Sequence, residues 1–250
     1  MFRPRIIPVL LLNKDHLVKS ERFKDYRYIG DPLNAVRIFN ELKADELVFL
    51  DISASKNKRE ISLELVKHIG EEADMPFCVG GGIRRLSQIS GIISAGAEKV
   101  IIGNYAVENP EFIKEAAQEF GSSTITVCID VKKKMFGQEK VFRLNGSKAS
   151  SYNPVEFARL MEANGAGEVI IQSIENDGRM QGYDLSLIKK VSENVSIPTV
   201  ALGGAGSILD LERAYKESGA TGLAAGSLFV YYSKSKGVLI NYPEKQDIKF

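Results

Sequence analysis

The stretch RIIPVLLLNKD, residues 5–15, opens the chain with an apolar, partly β-branched run that ends in a polar loop. Seven similar runs follow, and most are separated by amphipathic segments with helical spacing, such as residues 31–42, 111–120 and 207–218. Apolar strands that alternate with helices are typical of a parallel sheet covered by helices. Eight such units predict an α/β fold of the (β/α)8 TIM-barrel type, as one domain over residues 1–250. The predicted strands are residues 5–11, 46–52, 76–80, 99–103, 124–130, 168–174, 198–202 and 222–226.

An internal repeat runs through the chain at a separation of roughly 122 residues. It predicts two duplicated half-barrels, residues 1–121 and 122–230, followed by an irregular C-terminal tail, residues 231–250. Because the tail has no helical period and contains the strand-like segment GVLINY, we expect the final helix to be shortened or replaced. The matched segments are ADELVFLDI (44–52) with AGEVIIQSI (166–174), PFCVGGGI (76–83) with PTVALGGAG (198–206), and SAGAEKVIIGN (94–104) with ESGATGLAAGS (217–227).

The first strand lacks a carboxylate that its counterpart carries. In the second half the matching stretch is STITVCIDVKK, residues 123–133, and there Asp130 falls opposite Leu11. The first strand of the second half-barrel therefore ends in an acid, whereas the first strand of the first half-barrel ends in a leucine.

Composition narrows the possible functions. The net charge is +1 with acids and bases interspersed, so no nucleic-acid-binding footprint is present. No apolar run is long enough for a membrane span and no signal-peptide pattern occurs, which predicts a cytoplasmic protein. Cys78 and Cys128 lie in apolar runs typical of buried thiols, and the two histidines, His16 and His68, lie far apart. We expect no metal and no cofactor.

Glycines stand at the carboxyl ends of four predicted strands. They include Gly82 and Gly103 in the first half and Gly204 and Gly226 in the second. Such glycines let backbone N–H groups approach a phosphate, and the loops after the last two barrel strands often do so. Two facing anion sites predict a ligand with a phosphate at each end. Alternatively, the glycines only permit tight turns.

Four charged residues stand at or near strand starts, and alternation turns them into the barrel floor. Branched apolar residues are usual there. Two cations and two anions can form a ring of ion pairs, although burial makes it costly. The ring is either a structural plug or a polar gate for a small neutral molecule. Its members are Arg5, Glu46, Lys99 and Glu168.

Over nearly its whole length the chain resembles the cyclase subunit of imidazole glycerol phosphate synthase. The motifs that carry the resemblance are RIIPVL, DELVFLDISAS, VGGGI, AVENP, GAGE and GGAG. The resemblance implies a duplicated half-barrel that binds a bisphosphorylated substrate and a glutaminase subunit docked at the barrel floor. Ammonia from the glutaminase would pass the four charged residues as a gate. The implied phosphate- and substrate-binding positions are Lys19, Asp51, Gly82, Gly103, Asn104, Asp177, Gly178, Gly204, Gly226 and Ser227, although Gly103 and Asn104 depart from the family's usual pair.

The family implies two aspartates that share acid–base work, and this chain retains one. Asp130 matches the second aspartate, whereas Leu11 takes the place of the first and cannot transfer a proton. Asp15 and Asp51 are the candidate substitutes. Lys19 falls in a long first loop, residues 13–30, with His16 nearby, and loops of this length often close over a site. The charged segment 132–140 is expected to form a solvated hairpin insert.

Three functions remain open. The first is an ammonia-delivering subunit without cyclase activity, similar to a divergent branch of the family that is associated with sugar amidation for surface polysaccharides. There the partners would be a glutaminase and a separate sugar amidotransferase. The second is a working cyclase (a lyase) of histidine synthesis that relies on Asp130 and a substitute acid. The third is a non-catalytic module that regulates a partner through a phosphorylated ligand.

Overall fold

The computed structural model describes residues 3–134, 137–232, 237–244 and 247–250. Eight parallel strands form a closed barrel, in which the first barrel strand pairs with the last and the fifth pairs with the sixth. The prediction of a (β/α)8 barrel is confirmed. The barrel strands are β1 (Arg5–Asn13), β4 (Leu47–Asp51), β5 (Phe77–Gly80), β6 (Lys99–Ile102), β7 (Ile125–Lys133), β10 (Glu168–Ser173), β11 (Thr199–Leu202) and β12 (Gly222–Ala225).

Helices follow the barrel strands and cover the outside of the barrel. Good start signals set their first residues: the Asp31 side chain accepts a hydrogen bond from the Asn34 N–H at 3.0 Å, directly before Pro32. The predicted helices at 31–42, 111–120 and 207–218 are all present. The helices are α1 (Pro32–Glu41), α2 (Leu63–Glu72), α3 (Leu86–Ser94), α4 (Asn104–Glu108), α5 (Glu111–Phe120), α6 (Pro154–Ala163), α7 (Leu185–Ser192), α8 (Ile208–Ser218) and α9 (Ser227–Val230).

Alternation along the strands divides the apolar side chains into two cores. On β1, Ile6, Leu10 and Leu12 face the layer between strands and helices. Ile7 and Val9 instead face the barrel interior, with the inward residues of the other strands. Each barrel strand is therefore buried on both faces, which explains the near-continuous apolar runs in the sequence.

The expectation of a single long loop over residues 13–30 is wrong. β1 continues beyond the barrel to Asn13 and pairs antiparallel with β2 (His16–Glu21), with Leu11 opposite Val18. β3 (Lys24–Gly30) then pairs with β2. The segment therefore forms a hairpin on β1, and Lys19 of β2 is buried.

The expected hairpin insert begins where β7 leaves the barrel. β8 (Glu139–Arg143) pairs antiparallel with it, and Lys133 lies opposite Glu139. β9 (Lys148–Ala149) extends the sheet. Residues 135–136 of the insert lie outside the described residues.

The C-terminal tail follows a very short last helix, α9. A two-residue strand, β13 (Tyr231–Tyr232), pairs with β14 (Gly237–Val238). The final described residues return to the body of the protein, where Phe250 packs edge-on against Tyr215 of α8. No helix among the described residues is long and apolar enough to cross a membrane.

Replacing Phe49 of β4 with alanine should lower the free energy of unfolding by about 3–5 kcal/mol. The ring is fully buried and packs edge-on against Phe77, so its removal leaves a cavity. Leu209→Ala is the control: Leu209 is 67% exposed, and we expect a change within about 0.5 kcal/mol. Urea unfolding measures both, and equal effects would contradict the placement of Phe49.

Candidate functional site

The structure brings Arg5, Glu46, Lys99 and Glu168 together in a closed ring at the amino-terminal end of the barrel. The Arg5 guanidinium donates to both carboxylates. Lys99 Nζ lies 3.7 Å from Glu46 Oε1 and 3.4 Å from Glu168 Oε1. Each anion therefore contacts both cations. This is the arrangement of charges expected for a compensated polar floor.

Above the ring the barrel interior turns apolar. The Cys78 thiol donates to Glu46 Oε1 at 2.9 Å, and the Thr126 hydroxyl lies 3.4 Å from Glu168 Oε1. Beyond these two groups the inward side chains are aliphatic, apart from the Cys128 thiol. They include Ile7, Val9, Val48, Ile101, Ile170, Val200 and Ala224. An apolar lumen thus joins the charged floor to the mouth.

Asp130 lies at the mouth, at the carboxyl end of the fifth barrel strand. Burial raises its pKa to about 7, a hydrogen bond from the Cys128 thiol opposes this, and Asp177 adds to it. The Cys128 Sγ lies 3.7 Å from Asp130 Oδ1. A carboxyl group with a pKa near neutrality can both take up and release a proton at the working pH.

Leu11 adds an aliphatic side chain to the mouth. Its side chain belongs to the interior cluster, with Leu202 and Leu50 beside it. Leu11 lines both of the pockets that open at the mouth. An aliphatic side chain thus separates the two pockets at the position opposite Asp130 in the repeat.

Neither candidate substitute acid is placed to replace Leu11. Asp15 is exposed in the turn between β1 and β2. Asp51 lines the pocket that holds Asp130, but Arg59 binds its carboxylate at 2.6 and 3.0 Å. The backbone N–H groups of Ser53 and Ala54 also donate to it at 3.0 Å. Asp51 is therefore committed to shaping the loop after β4.

The first pocket has a volume of about 830 Å³ and contains Gly82, Gly103 and Asn104 among the predicted positions. Gly82 has φ +71°, and a Cβ there would lie 2.0 Å from the Arg59 carbonyl oxygen, so the turn itself requires glycine. The Asn104 side-chain oxygen accepts from the Leu144 N–H at 2.5 Å. This contact ties the hairpin insert to the pocket and occupies that oxygen.

The second pocket, about 390 Å³, contains the remaining predicted positions. Lys19 reaches it from β2, and its Nζ donates to the Val9 carbonyl oxygen at 2.5 Å. Burial lowers the pKa of Lys19 to about 8, and Asp177 opposes this. A Cβ on Gly226 would lie 2.3 Å from Lys19 Nζ, so glycine leaves room for the ammonium group. The other members are Asp177, Gly178, Gly204 and Ser227.

Gln172 was not predicted from the sequence, and its side chain lines both pockets. Its side chain lies 3.5 Å from Asp177 Oδ1 and 3.9 Å from the Cys128 sulfur. Alternation along β10 places Gln172 on the same face as Glu168, so this position could have been found by the periodicity that found the floor. The described residues contain no group of three or more His, Cys, Asp or Glu side chains that could hold a metal ion.

A closed barrel with an acid and glycine turns at the carboxyl ends of its strands has the layout of a TIM-barrel enzyme subunit. A model of the family described as "Histidine biosynthesis protein" matches residues 5–236. This chain belongs to that family and, within it, to the HisF group of imidazole glycerol phosphate synthase subunits.

Three relatives show the extent of the similarity. The Leptospira borgpetersenii protein named "Putative imidazole glycerol phosphate synthase subunit HisF" is 48% identical over 248 residues, 99% of this chain and 98% of its own. The Vibrio vulnificus "Putative imidazole glycerol phosphate synthase subunit hisF3" is 44% identical over 250 residues, 100% of this chain and 96% of its own. The Alkaliphilus metalliredigens "Imidazole glycerol phosphate synthase subunit HisF" is 42% identical over 231 residues, 92% of each chain.

Replacing Asp130 with asparagine should change how stability depends on pH. The pKa of Asp130 is raised in the folded protein, so between about pH 4 and 7 the folded state holds a proton that the unfolded state releases. Stability from this group is therefore lost as pH rises through that range. The free energy of unfolding of the variant minus that of the wild type should therefore be larger at pH 8 than at pH 5, by about 2 kcal/mol. Urea unfolding at both pH values tests this, and a constant difference would contradict it.

Proposed function

We propose that this chain is the synthase subunit of a glutamine amidotransferase complex whose ammonia is used for sugar amidation. A glutaminase subunit would dock at the barrel floor and release ammonia into the ring. The barrel would carry the ammonia to its mouth, where a sugar acceptor or a separate sugar amidotransferase would use it. The complex would work in the cytoplasm.

The observation that carries the proposal is the sequence of environments along the barrel axis. The ring of two cations and two anions has no net charge, and it offers hydrogen-bond partners to a small polar molecule. The aliphatic lumen above it opposes the entry of an ion, because burying an unpaired charge is strongly unfavourable. A barrel of this kind favours the passage of neutral ammonia over ammonium.

The mouth supports delivery without cyclisation. A cyclase reaction of the family's type relies on two positioned acid–base groups, and one such group typically contributes about 10²–10⁴-fold. Here Leu11 takes the place of one, Asp51 is bound by Arg59, and Asp15 is exposed in a turn. The second pocket, with buried Lys19 beside Ser227, supports a phosphorylated ligand in the mouth.

The cyclase reaction of histidine synthesis is the second candidate, and one observation favours it. Asp177 is near enough to Asp130 to raise its pKa, so a second buried carboxyl group does stand at the mouth. Burial raises the pKa of Asp177 itself, against the pull of Lys19. Two such carboxyl groups with shared titration could divide acid and base roles.

Growth of a histidine auxotroph that lacks its cyclase separates the two candidates. We expect the wild-type chain to give no growth without histidine, because Leu11 cannot transfer a proton. Leu11→Asp should restore measurable growth. Leu11→Asn should not, because asparagine is polar and close in size to aspartate but cannot act as an acid. Full growth from the wild-type chain would overturn the delivery proposal. If the Asp177→Asn variant then failed to grow, Asp177 would be the second acid–base group beside Asp130.

Hydrolysis of glutamine by a HisH-type glutaminase subunit tests the partnership. Mixing the two purified proteins should raise the hydrolysis rate by about tenfold, a typical coupling between linked sites. Inorganic phosphate and sugar phosphates are then added to ask whether occupancy of the mouth changes that rate. Binding of the glutaminase with no stimulation under any of these conditions would contradict ammonia delivery.

A further inference from the structure

The C-terminal tail brings a tyrosine to the barrel floor. Backbone hydrogen bonds fix its path: the Leu239 N–H donates to the Val230 carbonyl at 3.0 Å, and the Asn241 N–H donates to the Phe229 carbonyl at 2.9 Å. Next along the chain, the ring of Tyr242 packs against Phe229 at 5.6 Å and Phe39 of α1 at 6.5 Å. The tail therefore presents the Tyr242 hydroxyl at a defined place.

That hydroxyl joins two chain segments at the start of the barrel. It donates to the Ile6 carbonyl at 3.1 Å and accepts from the Asp45 N–H at 3.0 Å. The Asp45 carboxylate, in turn, accepts from the Ile6 N–H at 3.0 Å. Burial raises the pKa of Tyr242; the hydrogen bond from the Asp45 N–H opposes this, and the Asp45 carboxylate adds to it, so the hydroxyl stays protonated and remains a donor.

The hydrogen bonds of the Tyr242 hydroxyl and the Asp45 carboxylate connect β1 to the segment before β4. They do so below the first backbone pairing between β1 and β4. Their first paired residues are Val9 and Val48, farther up the barrel. At the level of Ile6, the Tyr242 hydroxyl and the Asp45 side chain provide hydrogen bonds between the two segments. They therefore set the separation of the strand starts.

Two members of the floor ring are direct neighbours of the bridged residues. Arg5 precedes Ile6, and Glu46 follows Asp45. The Arg5 guanidinium and the Glu46 carboxylate form an ion pair across the same gap. Any widening of the gap between Ile6 and Asp45 must therefore move this ion pair as well.

We propose that Tyr242 is a positioning residue for the floor ring, and that the tail acts through its hydroxyl to hold Arg5 and Glu46 in the closed arrangement. The inference rests on the proposed function, because it treats the ring as the entrance for ammonia. It gives the tail, which follows a very short last helix, a role at the floor of the barrel.

Cys78 provides a reporter that needs neither a partner nor an acceptor. Its thiol donates to Glu46 on the lumen side of the ring, and the chain has only one other cysteine, Cys128. In a Cys128→Ala background, the rate of modification by a small neutral reagent, methyl methanethiosulfonate, therefore reports how often the ring admits a molecule. Mass spectrometry follows the reaction on the intact chain.

Tyr242→Phe removes the hydroxyl but keeps the ring packed, so the fold should persist. The modification rate of Cys78 should rise about five-fold, the factor expected when one net hydrogen bond that holds the closed ring is lost. Tyr232→Phe is the matched control: it makes the same chemical change in the tail at a side chain that is 66% exposed, and the rate should not change. Asp45→Ala, which removes the acceptor for the Ile6 N–H, should act in the same direction as Tyr242→Phe.

Lys99→Met separates failure of this inference from failure of the proposed function. If Lys99→Met raises the rate but Tyr242→Phe and Asp45→Ala do not, the tail has no positioning role and the inference is overturned. If Lys99→Met leaves the rate unchanged as well, the ring is no barrier to small molecules, and the entrance on which both proposals depend is overturned. Equal rises in Tyr242→Phe and Tyr232→Phe would show a general loosening of the tail and would also overturn the inference.

Discussion

The barrel interior begins at a partly buried balance of charge at the base of the barrel. Arg5, Glu46, Lys99 and Glu168 lie where barrels normally place branched apolar residues, and removing any one would leave an unpaired charge beside the others. Replacing such a set with aliphatic side chains is often neutral or stabilising. Stability alone therefore does not account for such a ring, and its position at one end of an apolar lumen is consistent with the entrance proposed for it.

Alternation then turns one set of strands into three environments. On a barrel strand every second residue faces the interior, so a single strand can supply a charge at the floor, an aliphatic group in the middle and a functional group at the mouth. β10 does this with Glu168, Ile170 and Gln172, whereas β1 has Arg5, Ile7 and, at the mouth, a further aliphatic side chain, Leu11. Because every strand is anchored by its outward face against a helix, an inward residue can change without a change of fold. Leu11 fits such a position: it packs with its neighbours in the interior cluster, and β1 pairs in register with β4 and β12.

The same alternation decided what could be predicted from the sequence. The eight strands, three quoted helices and inward direction of the floor residues follow from local periodicity, and the structure places them accordingly. The hairpin at residues 13–30 did not follow, because β1 runs past the barrel edge and its pairing with β2 and β3 is not marked by the barrel periodicity. Contacts between distant segments could not be predicted either. Asn104 meets Leu144, and Tyr242 meets Ile6, only because the barrel closes and the tail returns, and neither contact leaves a local pattern in the sequence.

Under the proposed function, a leucine at position 11 in place of an acid has two physical consequences that act in the same direction. It removes a proton-transfer group, and it also extends the aliphatic lining of the lumen by one layer, up to the level of Asp130 and Leu202. An ionised carboxylate at that place would attract ammonium and favour protonation of ammonia, since an opposite charge nearby stabilises the charged form. Asp130, whose pKa is raised to about 7 by burial, is neutral for part of the time under physiological conditions and so opposes the passage of neutral ammonia less than a fully ionised group would. A mouth with fewer fixed negative charges is poorer at cyclisation and better at letting ammonia leave, and this trade-off supports delivery as the role of this barrel.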